Sequence, residues 1–211
     1  APGVFDMIST LIANKMNFPA LYVTGYGISS SYMGLPDAGL MTFTDMETQI
    51  RKIVAASDKP VIADADTGYG GLLNVRHTVR AYEMLGVAAI QIEDQEYPKK
   101  CGHTPGRRVI PTSEMVSKIK VALDTRKSDD FLVIARTDSR TSLGMEEALS
   151  RAVAFEEAGA DEERMKKFQE LQKNVDQKKK NIRGNDSEEQ KARLEKKRGM
   201  KLDDHPQFKK E

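Results

Sequence analysis

Tryptophan is absent from the 211 residues, and aromatic residues make up only 6%. Any core must therefore be built mainly from aliphatic side chains. Cysteine occurs once, at Cys101. A lone thiol excludes an internal disulfide framework, so a reducing compartment is expected. No apolar run reaches the roughly 20 residues that a membrane helix requires, and no signal-peptide pattern is present. A soluble protein follows as the expectation, cytoplasmic or, in a eukaryote, mitochondrial. An excess of one charge is missing too: the formal net charge is +1. That balance conceals two regions. Residues 162–211 carry 16 Lys+Arg against 11 Asp+Glu, which leaves 17 against 21 for residues 1–161. The first region has the composition of one globular domain with its own core. The second is a charged, apolar-poor tail, expected to be solvated helix or disordered. The basic run Lys178-Lys179-Lys180 is interleaved with acidic residues, which argues against nucleic-acid binding.

What is present in residues 1–161 is a recurring strand, loop and helix. The opening residues Ala1 to Asp6 read as the end of a strand and a turn. Apolar Ile8, Leu11, Ile12 and Met16 fall at helical spacing, and Ala20 to Val23 reads as a short buried strand. A polar loop follows through Ser29, Ser30 and Ser31. Thr44 or Asp45 is the expected cap of the next helix, and Asn74 that of the one after it. Val61 to Ala65, Ala88 to Ile92 and Phe131 to Ala135 are further strands, apolar on both faces as buried parallel strands should be. Short connections between alternating strands and helices predict a parallel sheet. Polar residues gather just after the strands, where both a (β/α)8 barrel and a doubly wound sheet place their sites.

The stretch Val61 to Gly71 is the focus of the chemistry. An apolar run leads into Asp64 and Asp66, and then into Gly68-Tyr69-Gly70-Gly71. Residues two apart on an extended strand share a face, so the two carboxylates should project together. Their repulsion is relieved by a hard divalent cation such as Mg²⁺, with Mn²⁺ as the alternative; a solvated aspartate pair at a strand end is the plainer reading. Glu93 ends the following strand and can join them, and Asp37 in Gly34-Leu35-Pro36-Asp37 offers a fourth carboxylate. Arg136 presents a planar fork suited to a substrate carboxylate, or else a salt bridge to Asp138 or Glu93. The glycine-rich turn lacks the Lys-Ser/Thr of a phosphate-binding loop. In Pro98-Lys99-Lys100-Cys101-Gly102-His103, lysine and histidine flank the thiol and favour its use as an acid or base. One Cys and one His do not make a zinc site.

The motifs Ala63-Asp64-Ala65-Asp66-Thr67-Gly68, Ile92-Glu93-Asp94-Gln95 and Lys99-Lys100-Cys101-Gly102-His103 resemble the signatures of the isocitrate lyase/phosphoenolpyruvate mutase superfamily. Gly34-Leu35-Pro36-Asp37 and Ala135-Arg136-Thr137-Asp138 fit the same pattern in the same order. The resemblance covers residues 1–161 and implies a (β/α)8 TIM-type barrel, Mg²⁺, a small carboxylate substrate, an enolate intermediate and a homo-oligomer, a tetramer in this family. It implies metal ligation by Asp64 and Asp66 with Glu93 in the outer shell. It also implies substrate contacts from Thr24, Gly25, Tyr26, Gly102 and Arg136, and proton transfer at Cys101 with Lys99 and His103 beside it. The cysteine motif resembles the methylisocitrate lyase-like branch, which cleaves carbon–carbon bonds. Oxaloacetate hydrolysis or decarboxylation and phosphonate mutation are the related chemistries. After Ala160-Asp161 the family pattern continues into a sixth apolar strand, whereas Glu162-Glu163-Arg164 follows here. Five of eight strands are therefore expected, and a catalytically inactive partial barrel serving assembly is the non-enzymatic alternative.

Overall fold

The computed structural model describes residues 1–161. The charged 162–211 tail and the readings placed on it lie outside the described residues. Five parallel strands pair in sequence order: β1 (Gly3–Val4), β2 (Leu21–Val23), β3 (Val61–Asp64), β4 (Ala89–Glu93) and β5 (Leu132–Arg136). A doubly wound sheet reverses its order at a switch point. The unbroken progression here is that of a barrel wall, which periodicity alone did not distinguish. The helices α1 (Met7–Asn14), α3 (Phe43–Ala56), α4 (Leu72–Met84), α5 (Thr112–Thr125) and α7 (Met145–Glu157) follow the same progression. α1 packs on α3, α3 on α4, α4 on α5 and α5 on α7. Two short helices complete the set, α2 (Gly25–Ile28) and α6 (Arg140–Leu143).

The core lies between the sheet and this helical layer. Leu21, Val23, Val61, Ala63, Ile90, Ile92 and Val133 are buried along the strands and meet Ile50, Ile53, Val75, Val79, Met115 and Ile119 from the helices. The opposite strand face meets the sequence expectation only in part: Ile62, Leu132 and Ile134 lie on it, but so do Tyr22, Asp64, Gln91 and Arg136, all of them half-buried. The period of two holds, with one face packed on the helices and the other mixing apolar side chains with the polar ones of the site.

Local caps also depart from expectation. The cap of α3 is Thr42, whose hydroxyl accepts from the Asp45 amide at 3.2 Å while the Asp45 carboxylate accepts from the Thr42 amide at 3.0 Å. This reciprocal pair moves the helix start two residues before Thr44. Helix α4 starts after Gly71 with no side-chain cap, so Asn74 lies within its first turn. Ser29–Met33 is a π-helical turn continuing α2 rather than a polar loop. In α1 the apolar residues Ile8, Leu11 and Ile12, like Met16 just beyond its end, point outward, each more than half exposed, while the small Thr10 and Ala13 face inward. Gly86 and Gly159, at φ +84° and +99°, end α4 and α7. No described helix is long and apolar enough to cross a membrane.

Candidate active site

Parallel pairing in register brings the polar strand ends together. Asp64 is the last residue of β3, Glu93 of β4 and Arg136 of β5, and Glu93 and Arg136 are direct partners across the sheet. Thr24 follows β2, caps α2 and accepts from the Gly27 amide. Gly25 donates its amide to Asp64 Oδ2 at 3.2 Å, and a Cβ at this glycine would stand 3.0 Å from the same oxygen. Asp66 joins Asp64 by a different route from strand alternation. β3 ends at Asp64, and Asp66 turns into the left-handed region at φ +53°. Its amide then donates to Asp64 Oδ1 at 3.0 Å, and its carbonyl accepts from the Glu93 amide at 2.8 Å. Aspartate tolerates this backbone better than most residues.

The cluster is electrostatically tense. Burial raises the Asp66 carboxyl to about 6, with Lys99 opposing and Asp64 reinforcing the shift. Burial likewise raises Glu93 to about 8, opposed by Arg136 and reinforced by Asp64 and Asp66. Lys99 is 5% exposed, and its ammonium stands 2.5 Å from Asp37 and 3.0 Å from Asp66. Burial lowers its pKa, but the Asp66 and Asp64 charges outweigh that and hold it above the ordinary lysine value. Lys99 is thus a fixed cation between two carboxylates. Arg136 reaches Glu93 at 3.3 Å and Asp138 at 3.0 Å, so both ion pairs anticipated for it form together.

Asp66 Oδ1 is buried and takes no well-aligned hydrogen bond, although Lys99 is near. Among the described residues no three Asp, Glu, His or Cys side chains form a ready-made metal cage. Few carboxylates with retained water are what Mg²⁺ accepts, and a buried carboxylate oxygen that is ion-paired but takes no aligned hydrogen bond has lone-pair capacity left for such an ion. The donor set therefore fits a hard divalent cation held by Asp64 and Asp66.

The cysteine loop closes over this cluster. Gly102 sits against Arg136, and a Cβ there would lie 2.6 Å from Nη2. Cys101 Sγ is 3.6 Å from His103 Nδ1. Both line a cavity of about 930 Å³ together with Tyr26, Leu35, Pro36 and Asp37. The loop is braced by Arg107, which donates to the Gly102 carbonyl and, at 3.1 Å, to that of Thr104. Sequence reasoning overlooked Tyr22, whose hydroxyl accepts from Gln91 at 2.9 Å beside the carboxylates. Burial and the Asp64 charge push its pKa up, so it stays protonated. It also overlooked Gln95 and Lys118. A polar residue within an apolar strand, as Tyr22 and Gln91 are, was the available signal for the first.

Carboxylates and a guanidinium at the carboxyl ends of sequentially ordered parallel strands define a (β/α)-barrel type of site. Comparison with known proteins agrees: the family model for phosphoenolpyruvate phosphomutase matches residues 1–184. The chain belongs to this family, within the isocitrate lyase/phosphoenolpyruvate mutase superfamily. It is 51% identical over 179 residues to 2,3-dimethylmalate lyase of Eubacterium barkeri, covering 81% of this chain and 62% of that one. The structure of oxaloacetate acetylhydrolase in complex with the inhibitor 3,3-difluorooxalacetate superposes with a TM-score of 0.73 at 40% identity, covering 76% of this chain and 56% of the other. Phosphonopyruvate hydrolase in complex with oxalate and Mg²⁺ superposes at 0.69 and 34% identity, covering 76% and 55%. The chain thus spans between half and two thirds of the length of these relatives.

Proposed function

We propose that this chain belongs to a Mg²⁺-dependent lyase that cleaves a carbon–carbon bond in a small 2-hydroxy di- or tricarboxylate of the dimethylmalate or methylisocitrate kind. The observation that carries the reading is the seating of Gly102 on Arg136. It sets the backbone that follows Cys101 against the guanidinium that would hold a substrate carboxylate. Amides around Gly25 and the hydroxyls of Thr24 and Tyr22 offer donors to the substrate's oxygens. Positive charge for the substrate's 2-oxygen is what Mg²⁺, held by Asp64 and Asp66 with Glu93 behind them, would supply. As the 2-hydroxyl loses its proton and becomes the oxo group, the bond between C2 and C3 breaks and leaves its electron pair on the enolate carbon. The Cys101 thiol would protonate that carbon, and the proton from the 2-hydroxyl would pass by way of His103 to the thiolate and restore it. Lys99 keeps Asp37 and Asp66 in place and remains charged throughout. A cytoplasmic or mitochondrial homo-oligomer, tetrameric as the resemblance implies, completes the proposal.

The test is an assay of the purified protein with Mg²⁺ against dimethylmalate, methylisocitrate, isocitrate and oxaloacetate. Release of a 2-oxo acid and a saturated carboxylate is expected from one of the first three. Folded protein that turns over none of them overturns the reading. Likeness to oxaloacetate acetylhydrolase favours a second reading, in which oxaloacetate alone is consumed and oxalate and acetate appear. The metal assignment has its own readout. Asp64→Asn keeps an acceptor for the neighbouring amides but removes a charge, so Mg²⁺ affinity by titration calorimetry should fall by more than about tenfold. Unchanged affinity would place the ion elsewhere.

A further inference from the structure

Gln95 is 1% exposed and takes no part in the chemistry proposed above, yet its amide reaches both the carboxylates that hold Arg136 and the loop that carries Cys101. Nε2 lies 2.9 Å from Glu93 Oε1, 2.9 Å from the Lys100 carbonyl and 2.7 Å from Asp138 Oδ2. Oε1 accepts from the Lys100 amide at 3.1 Å. Two hydrogens thus serve three acceptors, and one acceptor oxygen returns a bond to the same residue that receives one. Lys100 is the residue immediately before Cys101. Glu93 and Asp138 are the two carboxylates that hold Arg136.

We infer that Gln95 is a positioning residue: its buried amide clips the backbone of the cysteine loop at Lys100 onto the Glu93–Arg136–Asp138 cluster and so fixes where the Cys101 thiol stands. The side chain must both donate and accept. Glutamate could accept from the Lys100 amide, but it would set a third negative charge between Glu93 and Asp138 and lose every donated bond. Methionine keeps the bulk and loses all four contacts. Elsewhere the loop is held by the Lys99 ion pairs to Asp37 and Asp66, by the backbone bond from Glu96 to Arg108 and by Arg107 near its tip; among the described residues, the hydrogen bonds from the Lys100 backbone to the strand ends are those of Gln95. The effect on turnover rests on the lyase reading, whereas the position of the loop does not.

Cys101 is the sole cysteine, so its reaction with iodoacetamide reports on this loop without background. In Gln95→Met and Gln95→Glu the alkylation rate of the native protein should rise several-fold. Val79→Ala, a core cavity in α4 away from the loop, serves as a control of reduced stability and should alkylate at the wild-type rate. Wild-type rates in both Gln95 variants overturn the inference, as does an equal acceleration in the Val79 control. If the Gln95 variants fail to fold, hydrogen exchange at the Lys100 amide of the unaltered protein decides. Protection well beyond that of the His103 and Gly106 amides supports the clip, and exchange as fast as theirs removes it. Loss of turnover on every substrate would end the lyase reading and leave these readouts standing.

Discussion

Lys118 is a buried cation whose ammonium has one hydrogen-bond partner among the described residues, the Thr67 carbonyl at 2.9 Å. Thr67 belongs to the turn that carries Asp66, so a lysine on α5 supports the carboxylate cluster from beneath. Burial lowers its pKa below the ordinary 10.5, with Glu114 opposing. The folded protein therefore holds this proton less tightly than the unfolded chain does. Its contribution to stability is fully present above 10.5 and is lost as pH falls through the lowered value. Lys118→Met removes this dependence and the bond to Thr67. The gap in thermal stability between wild type and variant should widen as pH rises from neutrality towards 10.5, and a gap that narrows would refute the assignment. At this scale the sequence exposes residue type but not surroundings. Asp64, Asp66 and Glu93 stood out as charges at the ends of apolar runs, whereas Lys118 looked like one more surface lysine of an amphipathic helix. Arg136 was legible as a cation near acids, yet only the fold shows that it serves Glu93 and Asp138 at once.

At the scale of elements, the turn from β3 into α4 combines two glycines with different duties. Gly68 has φ +86°, and a Cβ there would stand 2.5 Å from Val75 Cγ2 in the buried first turns of α4. Gly71 has an ordinary backbone and open space around it. Gly68→Ala should cost about 1–3 kcal/mol of stability. Gly71→Ala should cost less than about 1 kcal/mol, as the loss of a glycine cap does. Urea denaturation of the two variants distinguishes them, and equal effects would contradict the geometry. The sequence marked both as turn residues because glycine clusters end strands, but which one the packing demands depends on Val75. Cap positions illustrate the same limit. Thr42, Thr44 and Asp45 all have capping side chains, and the choice among them follows from where the backbone enters the helical layer.

At the scale of the described domain, β1 and β5 lie at the two edges of the sheet. Exposed strand edges invite pairing with other chains. The outer edge of β5 is met by Asp161, whose carboxylate accepts from the Val133 amide at 2.7 Å and pairs with Arg126 at 3.3 Å, while its own amide donates to the Val133 carbonyl at 3.2 Å. Asp161→Ala leaves the Val133 amide without this acceptor. Sedimentation velocity should then show more concentration-dependent association than in the unaltered protein, and identical profiles would dismiss the protective role. Strand order was the decision that the sequence left open between a barrel wall and a doubly wound sheet. Short connections fix that neighbours in sequence are near in space, but not that the progression never reverses.

By itself the sequence determined the five strands, their parallel alternation with helices, the strand ends where chemistry gathers, and the motifs that mark the superfamily, but not the short helices α2 and α6 or the π-helical turn after α2. These are local matters of periodicity, breakers and residue type, and they survive without knowledge of neighbours. Only the tertiary structure decided that Lys99 is locked between Asp37 and Asp66, that Gly102 lies on Arg136, that Gln95 joins the cysteine loop to Glu93 and Asp138, and that polar side chains share one face of the strands with apolar ones. Each is a contact between residues distant in the chain or a choice of which face turns inward, and such choices are made by packing the whole sheet against its helices.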